Sequence, residues 1–257
     1  MISKDGEPLE DLETWFRLAG PKHDNQWQDG RSAKEAARAW IELAPDSLPT
    51  EILEALSSPE DLGQIVEWSA EPEARVTFDS FGGEPANLDL MVHARDGGGS
   101  LVIAVEAKAD EPFGATLAET SRAASKRKAE NPRSKGLDRL ERLAETVLGV
   151  PGDEMTGIDT LRYQLLTATA AAVAEAQRQS VDRALLLIHE FVTEQTSDDK
   201  HERNAADLGA FVQHISGGAI EGVEAGTVCG PFELPGIRET GSDVRFYVGK
   251  GVRNLRG

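Results

Sequence analysis

Two neighbouring segments with the residue pattern of β-strands constrain the fold more than any other feature of the chain. Residues 87–94 (NLDLMVHA) and 101–108 (LVIAVEAK) are rich in aliphatic and β-branched side chains. The six residues between them include Gly97 and Gly98, and glycine supplies the positive φ that a tight hairpin turn requires. The sequence therefore predicts an antiparallel β-hairpin over residues 87–108.

The turn and the apolar pattern independently select one register for this hairpin. A two-residue turn at 97–98 and a four-residue loop at 96–99 both oppose residues whose numbers sum to 195. A slip of one residue would move the apolar side chains of one strand to the opposite face of the sheet. In the selected register the aliphatic side chains share one face, with Leu90 opposite Val105, Val92 opposite Ile103 and Ala94 opposite Leu101.

The other face of the predicted hairpin carries charged side chains. The same register sets Asp89 opposite Glu106 and Asn87 opposite Lys108. Two directly opposed carboxylates repel each other, and a cation between them would relieve that repulsion. Mg²⁺ takes oxygen ligands, often only one or two carboxylates together with waters, and the carbonyl of Ala107 could add a third ligand. With Lys108 able to stabilise developing negative charge, the pattern favours a metal-dependent phosphodiesterase.

The remaining elements predict an α/β protein in which a mixed sheet is flanked by helices. The coarse order is one helix, three strands, a helical region and one strand, with extra elements at both ends. The predicted helices are 31–43, 50–57, 59–68, 115–129, 136–148, 160–179 and 203–215. The other predicted strands are 74–81, 184–192, 226–234 and 243–250.

Length and composition indicate an ordinary folded protein. The 257 residues, 39% of them hydrophobic, suit a single domain over 1–257. Cys229 is the only cysteine, so no intramolecular disulfide can form, which is typical of a reducing compartment. No apolar run of about 18 residues is present, and the first residues lack the apolar stretch of a signal peptide. These features predict a cytoplasmic protein without a membrane-spanning segment.

The distribution of charge is uneven. A net charge of −18 counts against a general nucleic-acid binder, because Lys and Arg make the contacts to phosphate. Residues 122–142 are the exception, with eight basic and three acidic side chains and a net charge of +5. Such a segment alone is usually a solvated helix surface. Its position directly after the carboxylate pattern favours a role in binding a nucleic-acid backbone.

The residues of the hairpin resemble a known family. Leu88-Asp89, a hairpin and then Val-Glu106-Ala-Lys108 is similar to the motif of the PD-(D/E)XK nuclease superfamily, to which many restriction endonucleases belong. Leu88 stands where the nominal motif has proline. The string VEAKADEPFG (105–114) also resembles uncharacterised bacterial proteins grouped near that superfamily. The resemblance covers about residues 31–192 and implies a restriction-endonuclease-like αβββαβ core, which leaves 193–257 as a C-terminal α/β extension.

The resemblance also implies roles for individual residues. Asp89 and Glu106 would bind the metal, and Lys108 would be the catalytic lysine. Some relatives carry an acidic residue on the first helix and a glutamine on the helix after the lysine, for which Glu35 and Gln164 are the candidates. The residues expected to contact nucleic acid are Arg122, Lys126, Arg127, Lys128 and Arg162.

Each secondary candidate has a structural alternative. Ser32 and Glu35 have the spacing of a helix capping box, and Gln164 could be an ordinary polar position on an amphipathic helix. Asp110 and Glu111 extend the acidic run after the lysine and are interpreted as loop residues, with metal binding as the alternative.

The sequence thus favours a nuclease that depends on Mg²⁺ or Mn²⁺ and acts on nucleic acid, with DNA favoured over RNA. Many DNA-cutting relatives act as dimers, so a homodimer is compatible with this hypothesis. The main alternative is a catalytically inactive binding or interaction protein that keeps the nuclease fold. A hydrolase of small nucleotides is a third hypothesis.

Overall fold

The computed structural model describes residues 1–42, 47–151, 156–236 and 243–256. The strands are β1 (Ser3–Lys4), β2 (Glu7–Pro8), β3 (Glu67–Val76), β4 (Ala86–Asp96), β5 (Gly99–Lys108), β6 (Arg183–Val192), β7 (Thr227–Phe232) and β8 (Arg245–Asn254). The α-helices are α1 (Leu12–Ala19), α2 (Ser32–Ile41), α3 (Thr50–Leu56), α4 (Leu117–Glu130), α5 (Gly136–Leu148), α6 (Tyr163–Arg178) and α7 (Asp198–Ile215).

Six of the strands form one mixed sheet in the order β3-β4-β5-β6-β8-β7. The strands β3, β4 and β5 are antiparallel neighbours, β5, β6 and β8 are parallel, and β7 closes the far edge antiparallel to β8. The crossover from β5 to β6 contains α4, α5 and α6, as a parallel connection requires. The structure therefore confirms the predicted α/β class and the mixed sheet flanked by helices.

Each face of the sheet packs against its own hydrophobic cluster. Helices α4 to α7 contribute to one cluster, and α1 to α3 contribute to the other. Because both faces are covered, β5 and β6 are nearly continuous runs of buried residues. Within the described ranges, no helix combines the length and the apolar character needed to cross a membrane.

The predicted register of the β4–β5 hairpin is confirmed over most of its length. The paired residues run from Asp96–Gly99 at the turn to Leu90–Val105. The ladder ends there, so the prediction that Asp89 pairs with Glu106, and Asn87 with Lys108, is wrong as a statement of strand pairing. β4 is locally distorted at Asp89, beside the left-handed backbone of Glu73 in β3.

The conformation of the turn also differs from the prediction. The positive φ lies on Gly99, at 120°, and not on Gly97 or Gly98. The buried carboxylate of Asp96 accepts hydrogen bonds from the Gly98 and Gly63 backbone N–H groups at 2.8 Å each. With these hydrogen bonds from Asp96, the chain turns without a positive φ at Gly97 or Gly98.

Two predictions in the segment before the hairpin are wrong. Residues 59–68 do not form a helix, since Glu67 already begins β3 and the Val66 N–H donates to the Arg95 carbonyl. β3 ends at Val76, whereas the prediction had a strand over 74–81. β3 includes Pro72, which is tolerated because β3 lies at the edge of the sheet.

Candidate active site

A cleft of about 570 Å³ lies at the end of the hairpin opposite its turn. The cleft is lined by residues between Pro21 and Ala33, by side chains of β3 and β4, by the end of β5, and by Glu111 in the loop after β5. Lys108 is the last residue of β5, where the carboxyl ends of the parallel strands lie and where α/β sheets commonly bind ligands. The strand residues that line it are Glu73, Asn87, Asp89, Ala107 and Lys108.

Asp89 reaches the cleft because the strands β3 and β4 are distorted at this point. Glu73, which would pair with Asp89, has a left-handed φ of 48°, and this pair is missing although its neighbours on both sides are paired. Leu88 and Leu90 accordingly pack into different hydrophobic clusters, on opposite faces of the sheet. The Asp89 carboxylate then accepts a hydrogen bond from the Ala107 N–H at 2.7 Å, in place of a ladder bond.

Glu106 is held beneath the cleft by two polar neighbours. Its side chain is buried, and its Oε2 accepts a hydrogen bond from Gln164 Nε2 at 2.6 Å. The same oxygen lies 3.5 Å from Lys108 Nζ. Gln164 is the second residue of α6, so the first turn of that helix orients it. The structure thus brings together Glu106, Lys108 and Gln164, and Asp89 shares the cleft with Lys108.

Burial dominates the electrostatics of these groups. It raises the pKa of Glu106 to about 8, and it also raises the pKa of Asp89. Burial would lower the pKa of Lys108, but Glu106, Asp89 and Glu111 together outweigh it and raise that pKa. Lys108 therefore stays positively charged. It lies beside several carboxyl groups, and its charge alone does not balance theirs if all of them ionise.

The carboxylates of Asp89 and Glu106 fit a hard divalent cation. Each uses one oxygen for the hydrogen bonds described above, and no hydrogen bond engages the other oxygen within the described ranges. Among the residues that the structure describes, no group of three or more acidic, His or Cys side chains is arranged to hold a metal. Mg²⁺ commonly binds through one or two carboxylates and keeps several waters, so a two-carboxylate donor set suffices.

Two further carboxylates belong to the surroundings of this site. Glu73 lines the cleft, burial raises its pKa, and its Oε2 accepts a hydrogen bond from Asn87 Nδ2 at 2.5 Å. Sequence reasoning missed Glu73; the break in alternation at Glu71-Pro72-Glu73 was the available signal. Glu111 also lines the cleft, and its Oε2 accepts hydrogen bonds from the Ala109 and Asp110 N–H groups.

Glu35, the predicted acidic residue of the first helix, is not among the residues that line the cleft. Its Oε1 accepts hydrogen bonds from the Gly30 N–H at 2.7 Å and from Arg38 at 3.0 Å. The predicted capping box is wrong, because Arg31 is the N-cap and Ser32 is the first helical residue. Glu35 instead binds the backbone just before the helix. The predicted end of this helix, residue 43, lies outside the described residues.

The predicted nucleic-acid residues occupy α4 and the start of α6. Arg122, Lys126 and Arg127 are exposed on α4 and form no ion pair within the described part of the chain, whereas Lys128 pairs with Asp138. Arg162 is engaged within the protein. Its Nη1 donates to the Gly114 carbonyl at 3.0 Å, and its Nε lies 2.9 Å from Asp207.

The comparisons with known proteins give a family but no activity. No curated protein and no solved structure matches the chain. Residues 8–253, nearly the whole chain, match a family described as a domain of unknown function (DUF6946). The match covers the cleft, the hairpin and all of both hydrophobic clusters except Ile2, and the chain therefore belongs to the DUF6946 family.

Proposed function

We propose that this protein is a metal-dependent nuclease with a core of PD-(D/E)XK type. The observation that carries the proposal is the convergence of Asp89, Glu106 and Lys108 at one end of the hairpin, beside a cleft. The element order from α2 to β6, with β6 parallel to β5, agrees with the αβββαβ arrangement that the motif implies.

The surroundings of each site residue indicate its role in the proposed reaction. Asp89 and Glu106 would hold Mg²⁺ or Mn²⁺ through the oxygens that hydrogen bonds leave unused, and the Ala107 carbonyl is a further candidate ligand. Such an ion, when bound, supplies charge neutralisation at the phosphate and lowers the pKa of a water. Gln164 fixes the orientation of the Glu106 carboxylate and so acts as a positioning residue.

Lys108 provides the positive charge of the protein itself. Its side chain is 5% exposed and lies beside Glu106, with its Nζ 5.3 Å from the centre of the Phe113 ring. A charged group fixed in a poorly hydrated place interacts strongly with charge that develops on a reacting phosphate. Lys108 would therefore stabilise the negative charge of the phosphodiester as its bond to the leaving oxygen breaks.

The cations of α4 that form no ion pair in the described part of the chain support binding of a polyanion. Arg122, Lys126 and Arg127 remain available on the surface of a chain whose net charge is −18. Contacts to phosphate from such side chains supply affinity without sequence preference. They would hold the backbone of the substrate, while residues of the cleft act on one phosphodiester.

A cleavage assay with matched variants tests the proposal. Wild-type protein should cleave mixed-sequence oligonucleotides in Mg²⁺ or Mn²⁺ and lose this activity in EDTA. Asp89→Asn and Lys108→Met should each lower the rate by about 100-fold or more, as loss of a stabilising group in a site typically does. Asp199→Asn, an exposed position in the first turn of α7, is the control and should retain full activity. Equal activity of all three variants would instead favour contamination or a different site.

A further inference from the structure

The proposed function leaves one part of the cleft unexplained. Lys22, His23, Asn25 and Gln26 line it from the connection between α1 and α2. All four are exposed, and their side chains form no hydrogen bond or ion pair within the described ranges. We call these four residues the cleft quartet.

The backbone that carries the quartet is nevertheless anchored. A short 3-10 helix spans Asp24–Gln26, and the segment ends where Arg31 Nη1 lies 2.9 Å from Asp110 and the Gly30 N–H binds Glu35. The anchored backbone keeps these residues beside the cleft, which reduces what must be ordered when a ligand binds. Their exposed hydrogen-bonding groups, which water otherwise hydrates, are available to a ligand with several donors and acceptors.

The chemistry of the quartet matches an unpaired nucleotide. The amides of Asn25 and Gln26 can each donate to and accept from the edge of a base. The ring of His23 can stack on a base, and Lys22 can contact a phosphate. Watson–Crick base edges are accessible to side chains only when the base is unpaired, because pairing occupies them in a duplex.

The size of the cleft also favours single strands. A volume of about 570 Å³ lies within the range of roughly 300–1,000 Å³ that holds small ligands. A specific complex with duplex DNA buries roughly 1,000–2,500 Å² of protein surface, which is much more positively charged than a protein–protein interface. The net charge of −18 works against so large a contact.

We infer that the substrate enters the cleft as unpaired nucleotides of single-stranded nucleic acid, whose bases contact His23, Asn25 and Gln26. This inference rests on the proposed function and narrows its substrate class. The bases are bound by the quartet, and the adjoining phosphodiester lies near Lys108. Duplex nucleic acid would have to open before its bases could contact the quartet in this way.

Fluorescence anisotropy with labelled oligonucleotides of about 12 nucleotides tests this inference. Ca²⁺ replaces Mg²⁺ so that binding is measured without cleavage, and single-stranded DNA, single-stranded RNA and duplex DNA of one sequence are compared. At least one of the single strands should bind about tenfold more tightly than the duplex. His23→Ala and the double variant Asn25→Ala/Gln26→Ala should each weaken single-strand binding by about tenfold. Gln28→Ala, an exposed amide outside the cleft lining, should leave binding unchanged.

The inference is overturned if the duplex binds as tightly as both single strands, or if none of the three nucleic acids binds. It is also overturned if the quartet variants bind single strands with full affinity. The two proposals can fail separately. Metal-dependent cleavage of duplex and single strands at equal rates, lost in Lys108→Met, would retain the nuclease and remove the single-strand inference. Quartet-dependent binding of single strands without cleavage in Mg²⁺ or Mn²⁺ would retain the inference and remove the nuclease.

Discussion

At the scale of single residues, the candidate site consists of charged groups held by neutral ones. Gln164 donates to Glu106, and the Ala107 N–H donates to Asp89. Each hydrogen bond fixes one oxygen of a carboxylate and leaves the other available. Partners of this kind orient metal ligands and typically account for about 10–100-fold in metal affinity or activity.

We expect Gln164→Leu to lower Mn²⁺ affinity or the cleavage rate by about 10–100-fold. Loss of the hydrogen bond to the buried Glu106 carboxylate should also lower the free energy of unfolding by about 1–3 kcal/mol while the fold is retained. The leucine keeps the volume and helix propensity but cannot hold the Glu106 carboxylate. Calorimetric titration with Mn²⁺ measures the affinity directly. Gln177→Leu, an exposed position on the same helix, is the control. An identical Mn²⁺ isotherm for wild type and Gln164→Leu would contradict the positioning role.

Glu73 combines a carboxylate in the cleft with a left-handed backbone. Non-glycine residues in this conformation cost about 1–2 kcal/mol, and such residues concentrate at functional sites. Glu73→Gly should therefore increase the free energy of unfolding by up to about 1 kcal/mol and lower the activity. Ser180→Gly is the matched control, because Ser180 also has a left-handed φ, 56°, and does not line the cleft.

Urea unfolding and the cleavage assay together measure this pair of variants. Both glycine variants should be more stable than wild type, and only Glu73→Gly should lose activity. Full activity in Glu73→Gly would show that neither the carboxylate of Glu73 nor its strained backbone contributes to cleavage.

At the scale of elements, one end of the hairpin is anchored by an ion pair and the other end borders the cleft. The turn end is fixed by the ion pair between Asp96 and Arg183, whose side chains are 0% and 1% exposed. Two hydrogen bonds of 2.9 and 2.6 Å join them and tie the turn to the first residue of β6. The opposite end is distorted and holds the cleft. Because the turn is firmly anchored, the strands can lose regular pairing near the cleft while the register of the rest of the hairpin is kept.

Asp96→Asn should destabilise the protein by about 3–5 kcal/mol near neutral pH, because it leaves the Arg183 guanidinium buried without its countercharge. Burial favours a raised pKa for Asp96, but hydrogen bonds from Arg183, Gly63 and Gly98 outweigh it and lower that pKa to about 2. Since the unfolded value is about 3.9, the stabilisation is present above about pH 4 and is lost as the pH falls through 2.

Urea unfolding of wild type and Asp96→Asn at several pH values measures this contribution. The difference in the free energy of unfolding should be largest near pH 7 and should shrink toward about pH 2. A difference that does not change with pH would show that the charge of Asp96 is not the source of the stability.

Which features the sequence could predict depends on the range of the interactions that determine them. The α/β class and the register from Leu90 to Asp96 follow from local alternation and turn composition, and both are confirmed. The distortion at Asp89 depends on the left-handed backbone of Glu73 in a neighbouring strand, 16 residues earlier in the chain. The partnership of Gln164 with Glu106 joins residues 58 positions apart, so spacing alone could suggest the glutamine but not its contact.

At the scale of the whole molecule, the packing of the sheet leaves the candidate site at one end of the hairpin. Two hydrophobic clusters enclose the sheet, and the cleft lies where β5 ends. Arg122, Lys126 and Arg127 of α4, exposed and without an ion pair among the described residues, follow that strand along the chain. The proposed function depends most on the binding of a divalent cation by Asp89 and Glu106 beside Lys108.

A crystal soaked in millimolar Mn²⁺ tests this claim most directly, because anomalous scattering identifies the ion without an assumed substrate. An anomalous peak is expected at about 2.1 Å from carboxylate oxygens of both Asp89 and Glu106, and it should be absent in crystals of Asp89→Asn. Crystals that take up Mn²⁺ elsewhere, or not at all, while both carboxylates remain ordered in the cleft would contradict it.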